Sequence, residues 1–249
     1  MSGHSKWATI KHKKGAADAA RGKLFAKLAR QVEVAAKNGG APDMNPTLRT
    51  AIQKAKAASM TNDAIDRAVK RGTGEGGDAV VYETIMYEGY APGGVALLID
   101  VLTDNRNRIS ADVRQVFSKL GGSMAEPGAV AWQFDRRGVI ITADGVEEDD
   151  VMMAALEAGA DDIQAQGEGW RIMTDPSDVY TIKDAIEASG IETLSADSPM
   201  VAENLIPVTD VKDARAILRI LDALEENDDV QDVFSNFDIS DELMEEASQ

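Results

Sequence analysis

The apolar residues of this chain change their spacing once, and the change falls on a run of glycines. Up to Gly72 they recur as on one face of an α-helix. Beyond Thr73-Gly-Glu-Gly-Gly-Asp78, runs with strand character alternate with helical ones. No single-class fold accommodates both halves.

Residues 1–15 read as an irregular basic arm. A helix is expected from about Ala16 to Lys37, with Leu24, Phe25, Leu28, Val32 and Ala35 as its apolar stripe and Asn38-Gly-Gly40 as its stop. Asn45 is placed to cap a second helix that starts at Pro46 and turns Leu48, Ile52 and Ala55 inward. Thr61 caps a third, with Met60 and Ile65 as a hydrophobic staple and Ala68 and Val69 on its inner face, and Gly72 ends it. Each helix buries little alone, so the three should form a small bundle.

After the glycines, Val80–Glu88 and Val95–Leu102 read as strands joined through Gly89–Gly94. A helix follows with Ile109, Val113, Val116, Phe117 and Leu120 inward, stopped by Gly121-Gly122, and then a strand over Ala129–Phe134. The next stretch has β-α-β-β-α-β order: strand 138–143, helix 147–158, strands 162–166 and 170–174, helix 177–189, strand 191–196. That is the pattern of a ferredoxin-like unit. Beyond Pro207 come a helix over Val211–Glu226, a strand over Val230–Phe234 and an acidic tail. Residues 79–134 lack a closing helix and strand, and the last segment offers both. The expected fold is therefore multi-domain α and α+β. It comprises a basic three-helix bundle with its arm (1–77), a split α+β domain (78–134 with 207–240) and an inserted ferredoxin-like domain (135–206).

Composition removes most chemistries. With 0 cysteines there is no disulfide framework, iron–sulfur cluster, thiolate zinc site or cysteine nucleophile. The two histidines, His4 and His12, both lie in the arm, which disfavours a histidine metal site or a Ser-His-Asp triad. Gly72-Thr-Gly-Glu-Gly-Gly77 spells G-x-G-x-x-G, but it follows a helix and precedes a strand. A dinucleotide loop needs the reverse order, so a linker is the better reading. Neither a phosphate-binding G-x-x-x-x-G-K-[ST] nor a G-x-S-x-G nor an H-E-x-x-H is present. The acidic runs Glu147–Asp150 and Glu225–Asp229 read as solvated helix ends, with no base, nucleophile or ligand set beside them. The expectation is a non-enzyme with no cofactor and no metal. The longest apolar run, Val95–Ile99, falls far short of the ~20 residues of a membrane helix, and no apolar stretch follows the basic start as in a secretory signal. A cytoplasmic protein is expected.

Charge is where function shows. The net charge of −17 conceals a polarity: residues 1–77 hold 15 Lys+Arg against 6 Asp+Glu, a balance of +9, and the remainder carries −26. A basic end on an acidic body signals a nucleic acid or another partner. The arm supplies Lys6, Lys11, Lys13 and Lys14 with Trp7 and His12 interleaved: cations for phosphate, and an aromatic that either stacks on a base or packs the arm onto the bundle. Lys23, Lys27, Arg30 and Lys37 fall on one side of the first helix with only Glu33 near them, a stripe that reads either as a phosphate-binding face or as a solvated one. In Thr103-Asp-Asn-Arg-Asn-Arg108, Arg106 and Arg108 sit at a helix start, where the macrodipole disfavours cations unless an anion joins them. A bound phosphate and an ion pair with neighbouring acids account for them equally well.

Ser2-Gly-His-Ser-Lys-Trp7 with Ile10-Lys11, Gly89-Tyr-Ala-Pro-Gly-Gly-Val-Ala96, Thr103–Arg108 and Trp132-Gln-Phe134 together resemble the YebC family, which includes the mitochondrial translational activator of cytochrome oxidase subunit I. The resemblance spans essentially the whole chain. Ala91, where the family often has glycine, and Met124-Ala-Glu-Pro127, in a usually glycine-rich turn, depart from it without touching the basic arm. It implies three domains, no catalysis, and one of two roles: a DNA-binding transcriptional regulator, or a ribosome-associated translation factor acting at difficult, proline-rich stretches. The charge distribution favours the ribosome. An acidic body is a poor companion for duplex DNA, whereas it suits basic ribosomal proteins while the basic end meets ribosomal RNA. Arg49, Gln53 and Lys56 on the second helix offer a weak base-reading set. A protein–protein adaptor without nucleic-acid contact is the alternative. Nothing in the sequence selects an oligomeric state.

Overall fold

The computed structural model describes residues 17–75 and 81–248. Two compact units are present: Trp132–Asn204, and the described residues of Ser2–Ala131 together with Leu205–Gln249.

In the second of these, α1 (Ala17–Ala36), α2 (Pro46–Ala57) and α3 (Asn62–Gly72) pack around Leu28, Val32, Leu48, Ala55, Ile65 and Ala68. The caps read from the sequence are made. Asn45 Oδ1 accepts from Leu48 N at 3.1 Å, and Thr61 Oγ1 accepts from Ala64 N. Asn45 does more, donating its amide to the carbonyls of Ala35 and Gly39, both at 2.8 Å, so one buried side chain stops α1 and starts α2. Leu24, expected on the inner face, is 42% exposed; it lies one turn before Leu28, the first buried position among the described residues of the helix. Glu33, expected beside the basic stripe, is buried and pairs with Arg71 Nε at 2.9 Å.

The same unit holds a four-stranded antiparallel sheet of β1 (Glu83–Ala91), β2 (Val95–Thr103), β3 (Ser123–Ala125) and β11 (Val230–Ser235), in the order β11-β2-β1-β3. The segment after Pro207 thus supplies a strand to this sheet, against β2. Helices α4 (Arg106–Leu120), α7 (Val211–Glu225) and α8 (Asp241–Ala247) close over it, with Leu97, Ile99, Phe117, Ile217, Leu221 and Phe237 in the core. Three expectations are corrected. First, β1 runs through Gly89 to Ala91 instead of turning at Gly89; a Cβ there would lie 2.5 Å from Phe117 Cζ, so this glycine admits a packed ring, and the turn falls on Gly93 and Gly94 with φ of 77° and 78°. The expected strand start at Val80 lies outside the described residues. Second, Ala129–Phe134 is not a strand: Ala131–Gln133 is a 3-10 turn and the strand begins at Phe134. Third, the acidic tail forms α8, capped by Ser240, and buries Met244 and Ala247. A parallel two-stranded pair joins β10 (Ile206–Pro207) to β12 (Phe237–Asp238).

The Trp132–Asn204 unit contains β5 (Gly138–Thr142), α5 (Glu148–Ala158), β6 (Asp162–Gln166), β7 (Gly169–Thr174), α6 (Val179–Ala188) and β8 (Thr193–Asp197), with sheet order β6-β7-β5-β8, all antiparallel. Ile140, Ile172, Val151, Ala155, Ile182 and Ile186 form its core. A short pair of β4 (Phe134–Arg136) and β9 (Met200–Ala202) lies beside it in sequence. The protein is thus a multi-domain mixture of helices and antiparallel sheets. No helix among the described residues is long and apolar enough to cross a membrane.

Candidate nucleic-acid interface

The arm candidates Lys6, Trp7, Lys11, Lys13 and Lys14 lie outside the described residues. The α1 candidates are placed, and they face the acidic part of their own unit. Helix α7 ends at Glu225, and the chain turns through Glu226-Asn-Asp-Asp229 into β11. The last carbonyls of a helix have no intrahelical donor and sit at the negative end of its dipole, so they attract cations. Lys23 Nζ donates to the Glu226 carbonyl at 3.3 Å and Lys27 Nζ to that of Glu225 at 3.1 Å. Arg30 reaches furthest in, donating to the Leu102 carbonyl at 3.0 Å, the Asp228 carbonyl at 3.1 Å and Asp229 Oδ1 at 3.0 Å. Its guanidinium lies 5.2 Å from the Tyr82 ring centre, and Lys37 Nζ 5.7 Å from the same ring. Gln31 Nε2 adds a bond to Gln231 Oε1 at 3.2 Å.

Asp229 organises this contact. Its amide takes part in the turn by donating to Asn227 Oδ1, and its carbonyl accepts from Leu102 N at 2.8 Å. Its buried carboxylate gathers Arg30 on one oxygen and, on the other, Thr103 Oγ1 at 2.8 Å and Arg108 at 2.6 Å. Burial alone would raise its pKa; the bonds from Arg108, Thr103 and Arg30 outweigh that and hold it below the ordinary aspartate value. Arg108 in turn is pushed up, chiefly by its bond to Asp229 and then by Asp104 at 2.7 Å. Both sides of the α4 N-terminus are therefore occupied: Asn105 caps it by accepting from Arg108 N, and carboxylates meet Arg108 where a phosphate was one expectation. Arg106 is different, with a side chain 68% exposed and Glu83 at 4.0 Å.

Arg30, Arg108, Asp112, Glu226, Asn227, Asp228 and Asp229 line an open cleft of about 360 Å³. Its walls mix both signs of charge. No group of His, Cys, Asp or Glu among the described residues is arranged to hold a metal ion.

Asp229, expected to be solvated at the helix end, is instead buried, because Arg30, Arg108 and Thr103 converge on its carboxylate; Glu88 is the organising residue that sequence reasoning passed over. Buried Glu88 accepts from Gly128 N and Val130 N, both at 2.6 Å, and from Ala131 N at 2.9 Å, fixing the loop before Trp132. The signal available for Asp229 was charge complementarity, since the acidic run at the end of one helix matches the basic stripe of another.

Basic N-terminal helices followed by acidic segments that form helices and antiparallel sheets are what fold and charge define. Comparison with known proteins gives the family. The TACO1/YebC protein N-terminal domain matches residues 5–75, and the TACO1/YebC second and third domain matches residues 82–237. The chain belongs to the TACO1/YebC family. It is 54% identical over 250 residues to a protein of Rubrobacter xylanophilus and 52% identical over 253 residues to one of Halothermothrix orenii, each covering 100% of both chains and each named "Probable transcriptional regulatory protein". Among solved structures, a conserved hypothetical protein from Aquifex aeolicus superposes with a TM-score of 0.83 at 43% identity, over 95% of this chain and 98% of that one.

Proposed function

We propose that this chain is a non-enzymatic, nucleic-acid-binding regulator of gene expression that docks through its basic N-terminal end. The observation that carries the reading is the charge segregation: +9 over residues 1–77 against −26 over the rest. Phosphates are drawn to one end and repelled by the other, which imposes orientation on binding. The name carried by its relatives supports a regulatory role. Two forms of that role fit, a DNA-binding transcriptional regulator and a ribosome-associated factor acting at proline-rich stretches. The acidic body favours the second, with ribosomal RNA at the basic end and basic ribosomal proteins beside the body, in the cytoplasm.

In this reading the bundle (1–77), the split α+β domain (78–134 with 207–240) and the insert (135–206) are three domains. The strand order β6-β7-β5-β8 supports a ferredoxin-like insert. Lys6, Trp7, Lys11, Lys13 and Lys14 make the primary contacts. Lys23 and Lys27, at the edge of the α1–α7 contact, and exposed Arg106 extend the surface. Arg30 and Arg108 reach a phosphate only by exchanging Asp229 for it, so nucleic acid competes with the protein's own carboxylate. Crosslinking in growing cells followed by sequencing of both DNA and RNA tests the reading. Enrichment of ribosomal RNA or of defined DNA sites is the expected result. Crosslinks to protein alone, with partner capture insensitive to nuclease, would make the chain an adaptor instead.

A further inference from the structure

Helix α5 turns its large apolar side chains outward. Its inner face is small, with Val151 and Ala155 buried and Ala154 and Ala158 partly buried against the core of the Trp132–Asn204 unit. Met152, Met153 and Leu156 are 41%, 64% and 56% exposed. At 100° per residue Met153 and Leu156 straddle the direction opposite the core, and Met152 flanks Leu156. Isolated exposed apolar residues are ordinary; three large ones gathered on one short helix, while alanines fill the inside, form a contiguous patch. Glu148, Asp149 and Asp150 at one end and Glu157 at the other surround it, all exposed. None of the four pairs with a cation among the described residues. The helix dipole explains acids in the first turn but not the methionines and leucine beside them.

We infer that this face of α5 is a docking surface for a cationic, amphipathic α-helical segment of a protein partner. The occupant follows from charge and shape. The Trp132–Asn204 unit holds 17 Asp+Glu against 4 Lys+Arg, a balance of −13, which repels nucleic acid and anionic lipid alike. A second copy of this chain would set one ring of carboxylates against another, a like-charge juxtaposition that excludes wrong partners. A helix carrying leucines on one face and lysines at its margins satisfies both parts of the patch, with apolar anchors against Met152, Met153 and Leu156 and ammonium groups against the four carboxylates. Methionine suits such a surface because its unbranched thioether repacks around different anchors. The site is remote in sequence from the basic arm and does not depend on nucleic-acid binding.

The full-length protein is titrated with a labelled Leu/Lys peptide patterned as an amphipathic helix, and with a scrambled peptide of the same composition, read by fluorescence anisotropy. The helical peptide should bind more tightly by roughly tenfold or more. Met153→Ser with Leu156→Ser, which leaves net charge unchanged at exposed positions, should weaken it by roughly tenfold per side chain. Asp149→Asn with Asp150→Asn should weaken it at low salt and flatten its salt dependence. Circular dichroism melts confirm that each variant folds. Equal affinity for the two peptides, or unchanged affinity in the serine variant, would reduce the effect to general attraction by an acidic protein and overturn the inference. Concentration-dependent dimerisation of the wild type that the serine variant abolishes would also overturn it, by identifying a second copy as the occupant.

Discussion

Replacing Asp229 by asparagine separates the two demands made on Arg30. In the native protein one buried carboxylate receives Arg30, Arg108 and Thr103. Asparagine keeps the shape and one acceptor oxygen but loses the charge, and its amide donor faces the guanidinium groups. Breaking a fully buried ion pair costs several kcal/mol, but Arg30 and Arg108 are 22% and 48% exposed in their side chains and regain water. The expected loss is therefore that of charge-assisted hydrogen bonds at a half-buried site, ~1–3 kcal/mol. At about 2–4 °C per kcal/mol for a chain of this size, the melting temperature should fall by roughly 2–12 °C. The pH dependence has a definite sign. Because the folded-state pKa of Asp229 lies below the unfolded value, its contribution is fully present above that unfolded value and is lost as pH falls through the folded one. The gap between wild type and D229N should thus hold from pH 7 to about 5 and close below about 4. Released Arg30 should at the same time raise affinity for nucleic acid and steepen its duplex-DNA log–log salt slope by up to ~0.9. Equal melting temperatures at pH 7, or a gap that survives acid, would refute the role given to this carboxylate.

Glu88→Gln should lower stability by ~1.5–3 kcal/mol in thermal melts, because the amide cannot accept all three backbone N–H bonds. Burial raises the Glu88 pKa, yet those bonds outweigh it and hold it low, so the difference from wild type should vanish as pH drops below the ordinary glutamate range. Arg106→Gln should leave the melting temperature within what surface changes cost, ~0.5 kcal/mol, while weakening binding. Arg108→Gln should lower the melting temperature by stranding Asp229. The opposite pattern between the two arginines would exchange their roles.

Local chemistry was legible where a short segment decides the outcome. Asn45-Pro46, Thr61 with its staple, and Gly121 with its φ of 83° each fix a helix end within a few residues, and the structure follows them. Legibility failed where a distant group decides. Gly89 looks like a turn until Phe117 is seen lying against it, and the acidic tail looks like solvent-exposed chain until Met244 is seen in the core. The α1 stripe is legible as a face, but its neighbours are not. Helical periodicity separates Lys23, Lys27 and Arg30 from Leu28 and Val32, but it says nothing of what lies over each face. The covering groups, Glu225 to Asp229, are some two hundred positions away, and a free phosphate-binding face and a charge-matched packing face have the same sequence pattern.

The salt dependence of nucleic-acid binding by the full-length protein tests the central claim most directly, measured with structured ribosomal RNA and with duplex DNA for the wild type and for a variant with Lys6, Lys11, Lys13 and Lys14 changed to Gln. The account predicts binding that weakens steeply with salt, and a slope on duplex DNA that falls in the variant by ~0.9 for each phosphate the arm no longer neutralises, with unchanged melting behaviour. A variant that binds as tightly as the wild type with the same slope, or a wild type that binds neither nucleic acid, would contradict it.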